Sequence, residues 1–361
     1  MLANALPFAI GLTFPVLFAV GATLGGVWIS AVSVYALIAI PIVDYFIGAS
    51  EKNLDANTGE DDLFWHKLIT WVWAPVQFAL IVALLWLAGG ASHLSDGELI
   101  RLAAALGIIT GGVGITYAHE LVHQTNRFER GLGEALLTST LYGHFAVEHV
   151  HGHHFHVGTP KDPVSARFNE SFWAFLPRAV GSSFVSAWRI TADRLARRGL
   201  PLWHISNPFW RYGAATIAWF AAAYMLAGWF GVALFALQGV VAFAMLEAVN
   251  YVEHYGLSRR LLPDGKYERV APHHSWNTSN MLTNYFLINL QRHSDHHYRP
   301  QRRYPVLQHY DETKAPQLPY GYPAMLTMAL LPPLWFRVMN PRVEAWRARH
   351  YPTGNLKPLS S

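Results

Sequence analysis

Nine histidines at ligand spacing fall into four short clusters along this chain, and no cysteine competes with them for a metal. The clusters read His119-Glu-Leu-Val-His123, His149-Val-His-Gly-His153-His154, Asn250-Tyr-Val-Glu-His254 and His293-Ser-Asp-His296-His297. Two residues four apart on a helix share one face, so the His119 and His123 rings can address the same volume. His149 and His153 repeat that spacing, and His154 steps about 100° around the axis, which lets the triplet reach two neighbouring ions. His293 and His296 are i, i+3 neighbours, His297 is i+4 from His293, and His254 adds one more ring. Nine nitrogens exceed what one ion accommodates, so two ions with four or five ligands each is the natural division. Imidazole suits zinc, copper, iron and nickel alike. A structural zinc needs only four ligands and favours thiolates. So many neutral ligands, with no obvious bridging carboxylate, suit a redox pair that keeps open positions for oxygen.

Ligating histidines donate their second ring N–H to a carboxylate, amide or carbonyl. Glu120, Glu148, Asp162, Glu170, Asn250, Glu253 and Asp295 are placed to do so. His273 and His274, in Pro272-His-His-Ser-Trp-Asn277, are the most ambiguous pair, read as support for the site or as a partner contact. His66, His93, His204, His309 and His350 are isolated, and His144, His151 and His156 are out of step with their clusters. All eight read as ordinary polar residues.

The elements that position the clusters are long and apolar. The 361 residues are 52% hydrophobic and only 14% charged, against about 25% charged in soluble domains. A membrane helix needs about 20 apolar residues, and six stretches qualify: 6–24, 27–47, 68–88, 100–118, 212–229 and 230–250. The first is read as a membrane helix and not a signal peptide, because it lacks a basic lead and a small-residue cleavage site. Lys and Arg crowd the regions after spans four and six, whereas the loops after spans one, three and five carry none except Arg101 at the edge of span four. That asymmetry marks the cytoplasmic side and argues against a large soluble protein with buried helices. It puts both termini and every histidine cluster in the cytoplasm. The expected fold is an all-α integral membrane protein, a single domain over 1–361. Its six transmembrane helices carry a histidine-rich cytoplasmic cap made of 119–211 and 251–361. The net charge of +4 belongs to loops beside the membrane, so anionic lipid or an acidic protein is the expected partner and nucleic acid is not.

At the clusters the chain resembles the integral-membrane alkane 1-monooxygenases of the fatty acid desaturase–hydroxylase superfamily. The three histidine boxes are His119–His123, Glu148–His154 and Leu290–His297. Asn250-Tyr-Val-Glu-His-Tyr-Gly256 is similar to the extra element of the hydroxylase branch, and Thr159-Pro-Lys-Asp-Pro163 and Pro272–Asn277 also resemble that family. The resemblance implies a di-iron site held by His119, His123, His149, His153, His154, His254, His293, His296 and His297. It implies terminal hydroxylation of alkanes with O2, in a bacterial inner membrane. Electrons would come from rubredoxin, reduced by a rubredoxin reductase. With no Cys, the chain itself carries no rubredoxin, which is either separate or a lost C-terminal fusion. The alternatives are hydroxylation of aryl methyl groups, fatty acyl desaturation, and a membrane zinc hydrolase. An alkane drawn from the bilayer offers no polar handle, so selectivity must come from channel shape. Trp28, Tyr35 and Gly111–Gly114 are the expected wall, with the glycines also suited to close helix packing.

Overall fold

The computed structural model describes residues 2–90 and 93–351, so the tail from Lys357 to Ser361 lies outside the described residues. Among the described residues the chain is helical, with three isolated bridges and no strand. Five segments are long and apolar enough to cross a membrane. These are α1 (Leu2–Leu24), α2 (Gly26–Ile47), α3 (Phe64–Ala88), α4 (Asp96–Val122) and the stretch Pro208–His254.

The last stretch is a hairpin. Ala227 and Gly228 leave helical geometry, Gly228 at φ +59°, a conformation that glycine adopts without penalty. Phe235 then lies 5.8 Å from Trp219 and 5.2 Å from Phe220. An unbroken helix would separate residues 219 and 235 by about 24 Å. The legs are α8 (208–226) and α9 (229–254), consistent with six crossings. Val16, Val27, Phe46, Ile217, Met225 and Trp229 stand exposed on these helices, as apolar side chains do when their solvent is lipid.

Local chemistry sets the helix ends. Ser95 and Glu98 form a reciprocal capping box at the start of α4, satisfying two backbone donors. Glu98 also accepts the Gly26 N–H at 2.6 Å, which pins the α1–α2 turn beside it. Asn207 caps α8 through the Phe209 N–H at 3.0 Å, with Pro208 at the first helical position. α4 is the central helix, packed by α1, α2, α3 and α9. It contains a π-helical turn at Thr110–Ile115.

The cap consists of shorter pieces. α5 (Arg127–Ser139) returns along α4. α6 (145–156) contains another π turn, at His149–His153. α7 (Phe172–Ala196) is long and amphipathic, with Trp173, Phe184 and Trp188 on its exposed face, a face suited to the lipid interface. α10 (Met281–Phe286), α11 (His293–Tyr298), α12 (Tyr322–Ala329) and α13 (Pro332–His350) complete it.

Candidate metal centre

The histidines from all four clusters converge. One group holds His119 and His123 from the end of α4, His149 and His154 from α6, and His296 from α11. The other holds His153, His254, His293 and His297. Within each group the donor atoms all lie within 4.8 Å of one another, and every residue is buried. The groups adjoin, with the His154 and His297 rings 4.5 Å apart.

The π turn decides the partition. At His149–His153 the His154 N–H reaches back to the His149 carbonyl, five residues away. Residues i and i+5 then share a face, so His149 pairs with His154, and His153 turns to the second group. In α11 the ordinary i, i+4 pair His293 and His297 stays together, and His296 faces the first group.

The contacts between rings are those of a ligand cage. His149 Nε2 lies 2.7 Å from His119 Nε2 and 3.0 Å from His154 Nε2. His296 Nε2 lies 3.1 Å from His154 Nε2. In the second group His297 Nε2 is 2.9 Å from His293 and 3.2 Å from His153, and His293 is 3.1 Å from His254. Two imidazoles bound to one ion at about 2.1 Å and at right angles stand about 3.0 Å apart. A neutral ring has a single N–H, so a nitrogen facing two others cannot be satisfied by hydrogen bonds alone. Burial, reinforced by the neighbouring rings, holds His149, His154, His293, His296 and His297 well below the usual histidine pKa. They are therefore neutral, the form that binds a metal.

An apolar cleft reaches this centre, where His119, His149 and His293 form part of its lining. Phe14, Ile40, Ile108, Phe145, Leu246 and Phe286 supply much of its wall, and Asn250 and Glu253 its polar end. Of the expected wall residues, Gly111, Gly112 and Val113 line it. Trp28 does not, because it faces outward at 52% exposure. Tyr35 packs behind the wall, 5.4 Å from Phe14 and 5.7 Å from Phe286.

The fatty acid desaturase family model matches residues 99–329, which takes in all nine histidines. Alkane 1-monooxygenase 1 of Pseudomonas aeruginosa is 44% identical over 85% of this chain and 81% of its own length. Alkane 1-monooxygenase 2 of the same organism is 41% identical over 89% of this chain and 85% of its own. Alkane 1-monooxygenase 2 of Alcanivorax borkumensis is 41% identical over 85% and 80%. The chain belongs to the alkane 1-monooxygenase family. It is a membrane oxygenase of alkanes with a histidine-rich centre.

In this alkane monooxygenase, two carboxylates reach the rings. Asp162 accepts from His153 Nδ1 at 2.9 Å and from Ser165 Oγ and the Val164 N–H. Glu253 Oε2 lies 3.1 Å from His293 Nε2, and its other oxygen accepts the Tyr322 hydroxyl at 2.8 Å. The remaining expected supports make other bonds. Glu120 faces Gln124 and, at 3.9 Å, Arg303. Glu148 accepts from Ser186, and burial together with Asp162 and Glu247 pushes its carboxyl well above the usual range. Asp295 accepts from Arg302, Tyr310 and the Gln308 N–H. Glu170 binds Arg178. Asn250 donates to Glu247 at 3.2 Å, and Glu247 also accepts the Tyr142 hydroxyl at 2.6 Å.

Glu247, Tyr142 and Tyr322 were not read from the sequence. A buried acid inside a membrane span is itself a signal, and Glu247, Asn250 and His254 follow one another at helical spacing along α9.

His273 and His274 stand apart from the two groups. With Glu268 they form a third set of side chains spaced for a metal. Their hydrogen bonds assign another role. His274 Nδ1 accepts the Ala271 N–H at 3.0 Å, so Nε2 carries the proton and donates to Glu268 at 3.1 Å and Tyr351 at 3.0 Å. Tyr351 also bonds Glu268 and His273. The set ties the end of α13 to the loop before α10.

Proposed function

We propose that the chain hydroxylates the terminal methyl of alkanes, with five and four histidines holding two iron ions. The ligands are His119, His123, His149, His154 and His296 for one ion, and His153, His254, His293 and His297 for the other. The observation that carries this reading is the meeting of two buried imidazole cages with an apolar cleft that His119, His149 and His293 help to line. Iron bound there would supply what side chains lack, the reduction of O2 and attack on an unactivated C–H bond. Overall, one oxygen atom enters the C–H bond, and the other leaves as water with two electrons and two protons from outside.

The protein's own residues select and hold. Phe14, Ile40, Phe145 and Phe286 offer a hydrocarbon only dispersion and dehydration, about 0.8 kcal/mol per buried CH2. They point its end at the cages and exclude water. Asp162 fixes the His153 tautomer from outside the cage, and Tyr322 aims Glu253 into it, at the His293 nitrogen that also faces His254 and His297. Both carboxylates offset positive charge in a dry site, where an unpaired ion is costly.

The distribution of Lys and Arg supports a cytoplasmic centre, and membership of the family suggests a bacterial inner membrane and a rubredoxin, recharged by its reductase, as electron donor. Of the basic residues beside the site, Arg260 is exposed and Arg302 half-buried, and these are the candidate contacts for such an acidic carrier, whereas Arg259, Arg292 and Arg303 are buried in bonds of their own. The test is one preparation assayed for metal and for aerobic oxidation of octane with reduced rubredoxin and 18O2. About two irons per chain and 1-octanol carrying one labelled atom are expected. Two zincs with O2-independent activity, or a dehydrogenated product without oxygen, overturns the reading.

A further inference from the structure

Span four contains Gly107, Gly111, Gly112 and Gly114, and three of them have a packing reason. A Cβ on Gly107 would stand 2.8 Å from the Gln238 carbonyl. One on Gly111 would stand 2.7 Å from the Ala242 carbonyl, and one on Gly114 would overlap the Gln77 side chain. Gly112 differs. A Cβ there meets only the flexible end of Met245, at 3.7 Å. It sits within the π turn, where its carbonyl accepts the Thr116 hydroxyl at 2.7 Å. Glycine weakens a helix interior relative to alanine, and neither packing nor a left-handed backbone compensates here. What its missing side chain leaves is space, because Gly112 lines the same cleft as His119.

We infer that Gly112 sets the length of hydrocarbon the cleft accepts, an inference that rests on the alkane reading of that cleft. Gly112 precedes His119 by seven residues, about 10 Å along the helix. Ile108, which also lines the cleft, precedes it by eleven, about 16 Å. An extended chain advances about 1.3 Å per CH2, given C–C bonds of about 1.5 Å. The stretch of wall from His119 to Gly112 therefore matches about eight carbons, and that from Gly112 to Ile108 about four more. A side chain at 112 would narrow the cleft between the two.

The test uses the full metal-loaded chain, as wild type, Gly112→Ala and Gly112→Leu, with linear alkanes of 6 to 16 carbons. Two quantities are read at each length: the thermal stabilisation given by the alkane, and the ratio of its oxidation to that of octane. Gly112→Leu is expected to move the longest stabilising chain down by about four carbons and to cut the dodecane-to-octane ratio at least tenfold. Gly112→Ala, whose methyl has room and which therefore folds, shifts both in the same direction by a smaller step. A length profile that stays as in wild type in both variants, or falls equally at every length, overturns the inference. A cut-off that moves with residue 112 in a chain that oxidises no alkane leaves the gauge standing and removes the oxygenase reading instead.

Discussion

Asp162→Asn is the sharpest test of the two-cage arrangement. Asp162 touches one ligand, His153, and His153 belongs to the four-histidine group. Both side chains are fully buried, so water cannot stand in for the lost charge. The amide keeps the shape and can still accept from His153 Nδ1, while the negative charge beside the ring is gone. Loss of such a partner costs about 10–100-fold in metal affinity, or about 1.4–2.8 kcal/mol. The cost falls on one ion, because the other five rings do not contact Asp162. Chelator titration of the iron-loaded chain, with released metal counted by mass spectrometry, should resolve two release steps. In the variant one step moves to 10–100-fold lower chelator and the other stays in place. Equal weakening of both ions, or of neither, refutes the division into five and four and the role given to Asp162.

Two further predictions concern the frame. Arg303 pairs Glu129, which is 1% exposed, through both terminal nitrogens at 3.1 and 2.9 Å. Arg303→Ala strands that carboxylate and should cost about 3–5 kcal/mol in a detergent unfolding experiment, with most of the loss recovered in Arg303→Ala/Glu129→Gln. The Tyr351 tie should loosen in acid. Burial, then His274 and His350, lowers His273 to about 4, so the unfolded chain takes up that proton first. The stabilising contribution is complete above about 6.5 and is lost as pH falls towards about 4. Glu268, held at about 2 against burial by bonds from His274, Arg260 and Tyr351, is depressed from an ordinary 4.5. Its share is present above 4.5 and is lost as pH falls through about 2. Hydrogen-exchange protection, corrected for the intrinsic rate at each pH, should fall at residues 261–274 and at the end of α13 between pH 7 and 5, and His273→Gln should flatten that fall.

The nine histidines that converge were legible because each box sits at the end of an apolar run, and three of the four boxes carry i, i+3 or i+4 spacing. Their partition was not. His149 and His153 look like one face of an α-helix, and the π turn that pairs His149 with His154 leaves no mark in composition. The membrane spans followed from length and hydropathy. The α8–α9 turn at Gly228 followed from the glycine that breaks the run. The cap was harder to read. α12 and the 286–290 segment are too short for periodicity to show, yet both face the cleft. α7 mixes arginines with outward aromatics, so it reads as neither span nor core helix. Glu253 and His293 meet across forty residues of chain, a separation no local spacing reports.

Both cages draw on the 149–154 stretch and on the 293–297 stretch. Neither nest is finished, therefore, before residue 297 has left the ribosome, by which time all the long apolar segments have been synthesised. Metal uptake must close the biogenesis of this enzyme and cannot guide its early steps. On the proposed iron reading, a cell starved of that metal would accumulate inserted chains whose lipid-embedded half is complete and whose cap is still waiting to be locked.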